Sequence, residues 1–265
     1  MDGSGRLSVS DCNVQKFTRI AAAFGVREFG FAVTPNVDHL IRYGSDADFR
    51  EIYDRASFVL LDSRFLARLL KATTRQRLPT CPGSDLTCAL FADVISPDDD
   101  IVLVGGSNAQ ADALRTAHGL KRLKHYDPPM GFIDDVVATE KCLRFIEAAS
   151  PFRFCFLAIG SPQQERMAGL LLQRGHARGL ALCVGGAINF MTGVEKRAPQ
   201  WMQHHGLEWF YRLMRNPRRM AYRYLIRGPR IFFLLPRLKF VLRPATATAF
   251  PAPPAVTAAP ATSVV

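Results

Sequence analysis

The chain has 265 residues, 48% of them hydrophobic, and a net charge of +11, enough for one large domain or two small ones with a real core. No stretch reaches the ~18–20 consecutive apolar residues that span a bilayer, and residues 1–20 hold no continuous apolar run of the signal-peptide type. Six cysteines without a CxxC pair point to a reduced, cytoplasmic protein, with Cys155 and Cys183 as buried small hydrophobes.

Five segments repeat one pattern: a short apolar run, a turn residue, then a helix-like stretch. They begin with FGFAVTPN at 29–36 and SFVLLD at 57–62, followed by VDHLIRYG and SRFLARLLKA. DIVLVGGSN at 100–108 and FRFCFLAIGSP at 152–162 precede two further helical stretches, and LALCVGGAINF at 180–190 closes the series. Continuous apolar runs of this length are expected of strands buried on both faces, and their alternation with helices predicts a Rossmann-like parallel sheet flanked by helices, an α/β fold. Asn36 and Ser63 sit where helix caps belong. Ser161, with Pro162 next and Gln164 three residues on, reads as a capping box.

In an open parallel sheet the ligand lies beyond the C-terminal strand ends. Those ends carry Thr34, Asn36, Asp62, Gly105, Gly106, Gly160, Gly185 and Gly186. Gly105 and Gly106 allow backbone to approach a phosphate at a helix N-terminus, or form no more than a tight turn. Asp62 is a candidate general base or a cap for the helix after it. Gln163, Gln164 and Glu165, in a first helical turn, either hold a sugar or base edge or serve the helix dipole. Asp98-Asp99-Asp100 contains a DxD but precedes its strand, which puts it at the far end of the sheet. No histidine has metal-ligand spacing, and no GxSxG is present.

Charge is concentrated at the C-terminal end. Of the 34 Lys and Arg, 12 lie from Lys196 onward against one acid, Glu208, and the first 195 residues carry 22 bases and 22 acids. A helix is predicted from Asn216-Pro217 to Gly228-Pro229, with Arg219, Arg223 and Arg227 on one face. The segment either clamps phosphate through its arginines, rests on anionic lipid with Phe232, Phe233, Leu234, Leu235 and Val241 in the interface, or packs as a basic helix on the body. Its apolar cluster disfavours nucleic acid. The expected organisation is an α/β catalytic domain over 1–205, a basic amphipathic helical appendage over 206–243 and a disordered Pro/Ala/Thr tail over 244–265.

VTPNVDHL, LLDSRFLARLL, VLVGGS, PPMGFIDD, AIGSPQQE and GVEKRAPQWMQHHGLEWFYRLMRNPRRMAYRY, in that order over roughly residues 28–235, resemble the WecG/TagA/CpsF glycosyltransferases. The resemblance implies an inverting enzyme without a metal or other cofactor. It would move a sugar from a UDP-sugar donor to a polyprenyl-diphosphate-linked sugar acceptor, peripheral on the inner face of a bacterial membrane, in surface or exopolysaccharide biosynthesis. It implies Asp62 as the base, Thr34 and Asn36 in the substrate pocket, Gly105 and Gly106 near the nucleotide, and Gln164, with Glu165 beside it, as the PxQE glutamine. Arg212 and Arg219 would close over the donor diphosphate, with Arg223 beside a third such position at Tyr222. Removing 208–265 is then expected to abolish transfer and leave the core folded. Ser63, Thr80 and Asn189 depart from the family pattern of Gly, Arg and Asp. Two alternatives stay open: another nucleotide-binding α/β protein, such as a methyltransferase with an RNA-binding tail, and a non-catalytic membrane adaptor. Assembly as a homo-oligomer is left open too.

Overall fold

The apolar runs become strands because each is short, flanked by turn residues and apolar at successive positions, so that both faces are covered. A computed structural model describes residues 5–246, apart from the side chain of Arg219. Its strands are β1 (Gly5–Ser10), β2 (Phe29–Val33), β3 (Phe58–Val59), β4 (Ile101–Val104), β5 (Leu123–Tyr126), β6 (Phe154–Leu157), β7 (Gly179–Cys183) and β8 (Leu238–Arg243). Six form one parallel sheet in the order β3-β2-β7-β6-β4-β5, and β1 pairs with β8 in a second, two-stranded parallel sheet. The expected α/β, Rossmann-like parallel architecture is therefore present.

Apolar side chains pack on both faces of the large sheet. One cluster joins Phe31, Val33, Tyr53, Val102 and Met167, and the other joins Phe17, Phe58, Leu90, Leu103 and Phe156. The helix Gln163–Arg174 packs against β2 and β7 on the face that also carries Ala47–Arg55 and Val136–Ala148; the short helix after β7, Ala187–Met191, packs with Gly83–Asp93 and Asn108–His118 on the other face. The chain leaving β2 and the chain leaving its neighbour β7 thus go to opposite faces. Such a switch in direction opens a crevice at the C-terminal ends of the strands. Thr34 Oγ1 spans it, donating to the carbonyl of Cys183 at 2.8 Å.

Several expectations change. Three strands went unread: β5, LKHY, is short and half polar, and β1 and β8 pair only with each other. Ser161 does not cap its helix. Pro162 occupies the cap position without a side-chain bond, and the Ser161 hydroxyl is buried without a hydrogen-bond partner among the described residues. The helix from Pro217 does not stop at Gly228-Pro229. It widens into a π-helical stretch, Tyr222–Arg227, then passes through a 3-10 turn, Gly228–Arg230, into Ile231–Leu234. In the widened turn the N–H of Gly228 reaches the carbonyl of Arg223. The proline, which lacks an N–H, then opens the next turn and does not interrupt the previous one.

The end of the appendage is not one free apolar face. Ile231, Leu235, Leu238 and Phe240 are buried, and Leu234 packs against the core beside them. Phe232, Phe233 and Val241 are exposed. Most of the 244–265 segment, from residue 247 on, lies outside the described residues.

Candidate active site

A cavity of about 320 Å³ lies at the ends of β2 and β3, beneath the arginine-rich segment. Asn36, Asp38 and Asp62 line it from the sheet, and Trp209, Arg212 and Arg223 from the segment above. Asp62 stands three residues beyond the end of β3. Ser63, not Asp62, caps the next helix, accepting from Leu66 N at 3.1 Å, which leaves the Asp62 carboxylate free for another task. Its Oδ1 accepts from Gly83 N at 2.7 Å, and its Oδ2 accepts no hydrogen bond among the described residues. Burial raises the pKa of Asp62; the Gly83 N–H and the nearby Arg212 guanidinium pull it back only in part. A raised pKa makes a carboxylate a stronger base toward a hydroxyl proton.

Asn36 caps the helix Val37–Ser45. Its Oδ1 accepts from Asp38 N at 3.0 Å, lies 2.8 Å from His39 Nδ1 and takes a long contact, 3.5 Å, from Arg223. With the oxygen engaged three times, the amide nitrogen is the group left for the cavity. His39 Nε2 stands 3.3 Å from Glu165 Oε1, and Gln164 Nε2 donates to the same oxygen at 2.8 Å. Burial pushes the Glu165 pKa up, but His39 and Gln164 outweigh it and hold it below the ordinary value.

Gln164 and Glu165 are therefore not in the cavity wall. They are almost fully buried beneath it, and Gln164 Oε1 is taken by Gly185 N at 2.9 Å. Their place at the helix start makes them look like ligand contacts in the sequence, but the Gln164 amide is spent on Glu165 and Gly185, and Glu165 Oε1 on Gln164 and His39.

The arginines divide by position. Arg212 stacks over Phe190 with its guanidinium 5.0 Å from the ring centroid, and pairs with Glu208 at 3.3 Å. Arg223 and Arg227 both approach Asp38, at 3.9 and 3.2 Å. Arg219 belongs to the helix Pro217–Ala221, and its side chain lies outside the described residues. Phe65, Trp209 and Tyr224 form an edge-to-face aromatic wall, 6.2 and 6.0 Å between centroids.

Gly105 and Gly106 are elsewhere in the crevice, at the end of β4. Both have positive φ, 91° and 75°, and a Cβ on Gly105 would meet the Ala158 carbonyl at 2.8 Å, so a side chain is excluded there. Ser107 and Gln110 close a capping box at the next helix, and Gln110 Nε2 also reaches Asn189 and Thr192. The carbonyls of Gly105 and Gly106 both face His125 Nε2. Thr34 stands between the two regions.

Sequence reading missed His39, Asp38 and Gly83. His39 is legible in hindsight as the third residue of a capping box, and Asp38 as an acid opposite an arginine repeat. The acids at 98–100 lie before β4, at the opposite end of the sheet, paired with Lys121, Arg153 and Arg122. Among the described residues no helix is long and apolar enough to cross a membrane. Compared with known families, residues 6–244 match the model for the glycosyl transferase WecG/TagA/CpsF family.

Proposed function

Since this chain belongs to the WecG/TagA/CpsF family of glycosyl transferases, which serve cell-surface polysaccharide synthesis, we propose that it moves a sugar from a UDP-sugar to a polyprenyl-diphosphate-linked sugar with inversion at the anomeric carbon. The observation that carries this reading is Asp62: raised in pKa by burial, fixed through one oxygen by Gly83, and set in a cavity roofed by arginines. Asp62 takes the proton of the acceptor hydroxyl as that oxygen attacks the anomeric carbon, and UDP leaves from the opposite side. Arg212, Arg219 and Arg223 neutralise the charge growing on the departing diphosphate, where bidentate guanidinium contacts are strong. Asn36 donates from its amide to a sugar hydroxyl. Gly105 and Gly106 let the backbone approach the nucleotide. Gln164 and Glu165 act by positioning, through His39 and Gly185.

Exposed Tyr222, Leu225, Ile226, Phe232 and Phe233 stand among Arg218 and Arg230. That mixture suits a peripheral site on an anionic membrane surface, where the acceptor would reside.

The test is UDP release by purified protein against a panel of UDP-sugars, with and without a polyprenyl-diphosphate-sugar acceptor. Asp62→Asn should lower acceptor-dependent turnover by about 10²–10⁴-fold with UDP binding kept. Equal release by wild type and Asp62→Asn would overturn the assignment of the base.

A further inference from the structure

A second, smaller cavity of about 260 Å³ adjoins the first and shares Arg64 with it. Arg64, Arg68, Lys71 and Arg77 line it together with Thr80 and His204, and no acid does. The segment 64–77 holds five Lys and Arg and no Asp or Glu, whereas the rest of the first 195 residues holds 17 Lys and Arg against 22 acids. Arg64 pairs with Asp85, 2.5 Å away, a carboxylate it shares with Arg197. The other three cations pair with no carboxylate among the described residues. Arg68 donates to the carbonyls of His204 and His205, which are neutral, and Lys71 and Arg77 have no ion pair among the described residues. Three exposed, uncompensated cations converge on one concavity.

The spacing relates this cavity to Asp62. Arg64, Arg68 and Lys71 recur at four and three residues along the helix Arg64–Thr74, so they share one face. That face starts at the rim of the Asp62 cavity and runs outward for about 10 Å at ~1.5 Å per residue. An acceptor whose sugar hydroxyl met Asp62 would carry its diphosphate at least one sugar ring away, a reach that this row of cations spans.

We propose that the cavity lined by Arg68, Lys71 and Arg77 binds a diphosphate, that of the acceptor, separately from the donor diphosphate under Arg212 and Arg223. The assignment to the acceptor rests on the transfer reaction proposed above; the anion site itself does not. The cations hold the acceptor's diphosphate by charge-assisted hydrogen bonds and set the distance at which its hydroxyl reaches Asp62.

The decisive variant is Lys71→Ala/Arg77→Ala in the full chain, with Arg19→Ala, an exposed cation on another helix, as the charge control. Inorganic pyrophosphate is titrated by calorimetry in the presence of saturating UDP, which fills the donor site. Wild type and control should bind, and the double variant should bind about tenfold or more weakly. Equal pyrophosphate binding in all three would overturn the site, whatever the enzyme's reaction. In turnover, the double variant should raise KM for a short-chain polyprenyl-diphosphate-sugar about tenfold and leave KM for the UDP-sugar unchanged. A raised donor KM, or loss of binding to vesicles containing phosphatidylglycerol with acceptor KM unchanged, would overturn the acceptor assignment in favour of the nucleotide or of a lipid headgroup.

Discussion

Asp62, half-buried, and Glu165, fully buried, are two carboxylates whose environments push them in opposite directions, and this makes them separable by pH. The pKa of Asp62 is raised by burial. Its ionised form is penalised in the folded state, so its contribution favours folding at low pH and is lost as pH rises through the folded-state value. Asp62→Asn keeps an oxygen to accept the Gly83 N–H and removes that penalty. At pH 7 it should raise Tm by about 2–4 °C, the equivalent of ~1 kcal/mol at this size, with the gain shrinking toward pH 4. Thermal melts across pH check this, and a lowered Tm at pH 7 would contradict the raised pKa. Glu165 is the reverse case. His39 and Gln164 hold its pKa down despite burial, so its stabilisation is present above the unfolded-state value and fades as pH falls through the folded-state value. Glu165→Gln leaves His39 without its partner and should cost about 1–3 kcal/mol at neutral pH, narrowing in acid. For catalysis, the acid limb of kcat/KM should report Asp62, with activity falling as pH drops through a value above the ordinary carboxylate range.

At the scale of elements, two arginines of the C-terminal segment converge on one acid of the body, Asp38. Arg223 and Arg227 sit one turn apart on a stretch whose π-helical widening keeps residues four apart on nearly the same face, and both meet Asp38. Asp38→Asn leaves two guanidinium groups without their counter-charge. Amide hydrogen exchange over 217–230 should then rise about tenfold, with β4, β6 and β7 unchanged. Uniform protection in the variant would mean that the aromatic wall of Trp209 and Tyr224 does the holding. The sequence made five of the large sheet's six strands readable because burial on both faces leaves uninterrupted apolar runs. It made Asp62, Asn36 and the arginines readable because each stands at a turn or in a repeat. It concealed β5, whose Lys124 and His125 break the apolar run, and the pair β1 and β8, whose partners are more than 200 residues apart in sequence. It also suggested Gln164 and Glu165 as ligand contacts, since nothing local distinguishes a first-turn amide facing a cavity from one turned inward to a strand end.

For the whole molecule, the pairing of β1 with β8 changes what a truncation means. If the basic segment were only a lid and a membrane foot, removal of 208–265 would leave a folded, inactive core. Yet Ile231, Leu235, Leu238 and Phe240 of that segment are buried with Leu7, Val9 and the main cluster, and the Arg243 guanidinium donates to the carbonyls of Ala56 and Ser57 beside β3. Each buried apolar side chain contributes about 1.5–3 kcal/mol, and a domain's whole stability is about 5–15 kcal/mol. The truncated chain should therefore melt far lower or aggregate, and its inactivity would report lost structure. The membrane contact is isolated by Leu225→Ser/Phe233→Ser, since both side chains are exposed and neither belongs to the core or lines the Asp62 cavity. That double variant should keep its Tm within about 2 °C, a shift worth less than ~1 kcal/mol. It should transfer normally to a short, water-soluble acceptor, sediment poorly with anionic vesicles, and transfer slowly to an acceptor embedded in them. Equal sedimentation of variant and wild type would remove Leu225 and Phe233 from the membrane contact and leave the arginines as its main attraction.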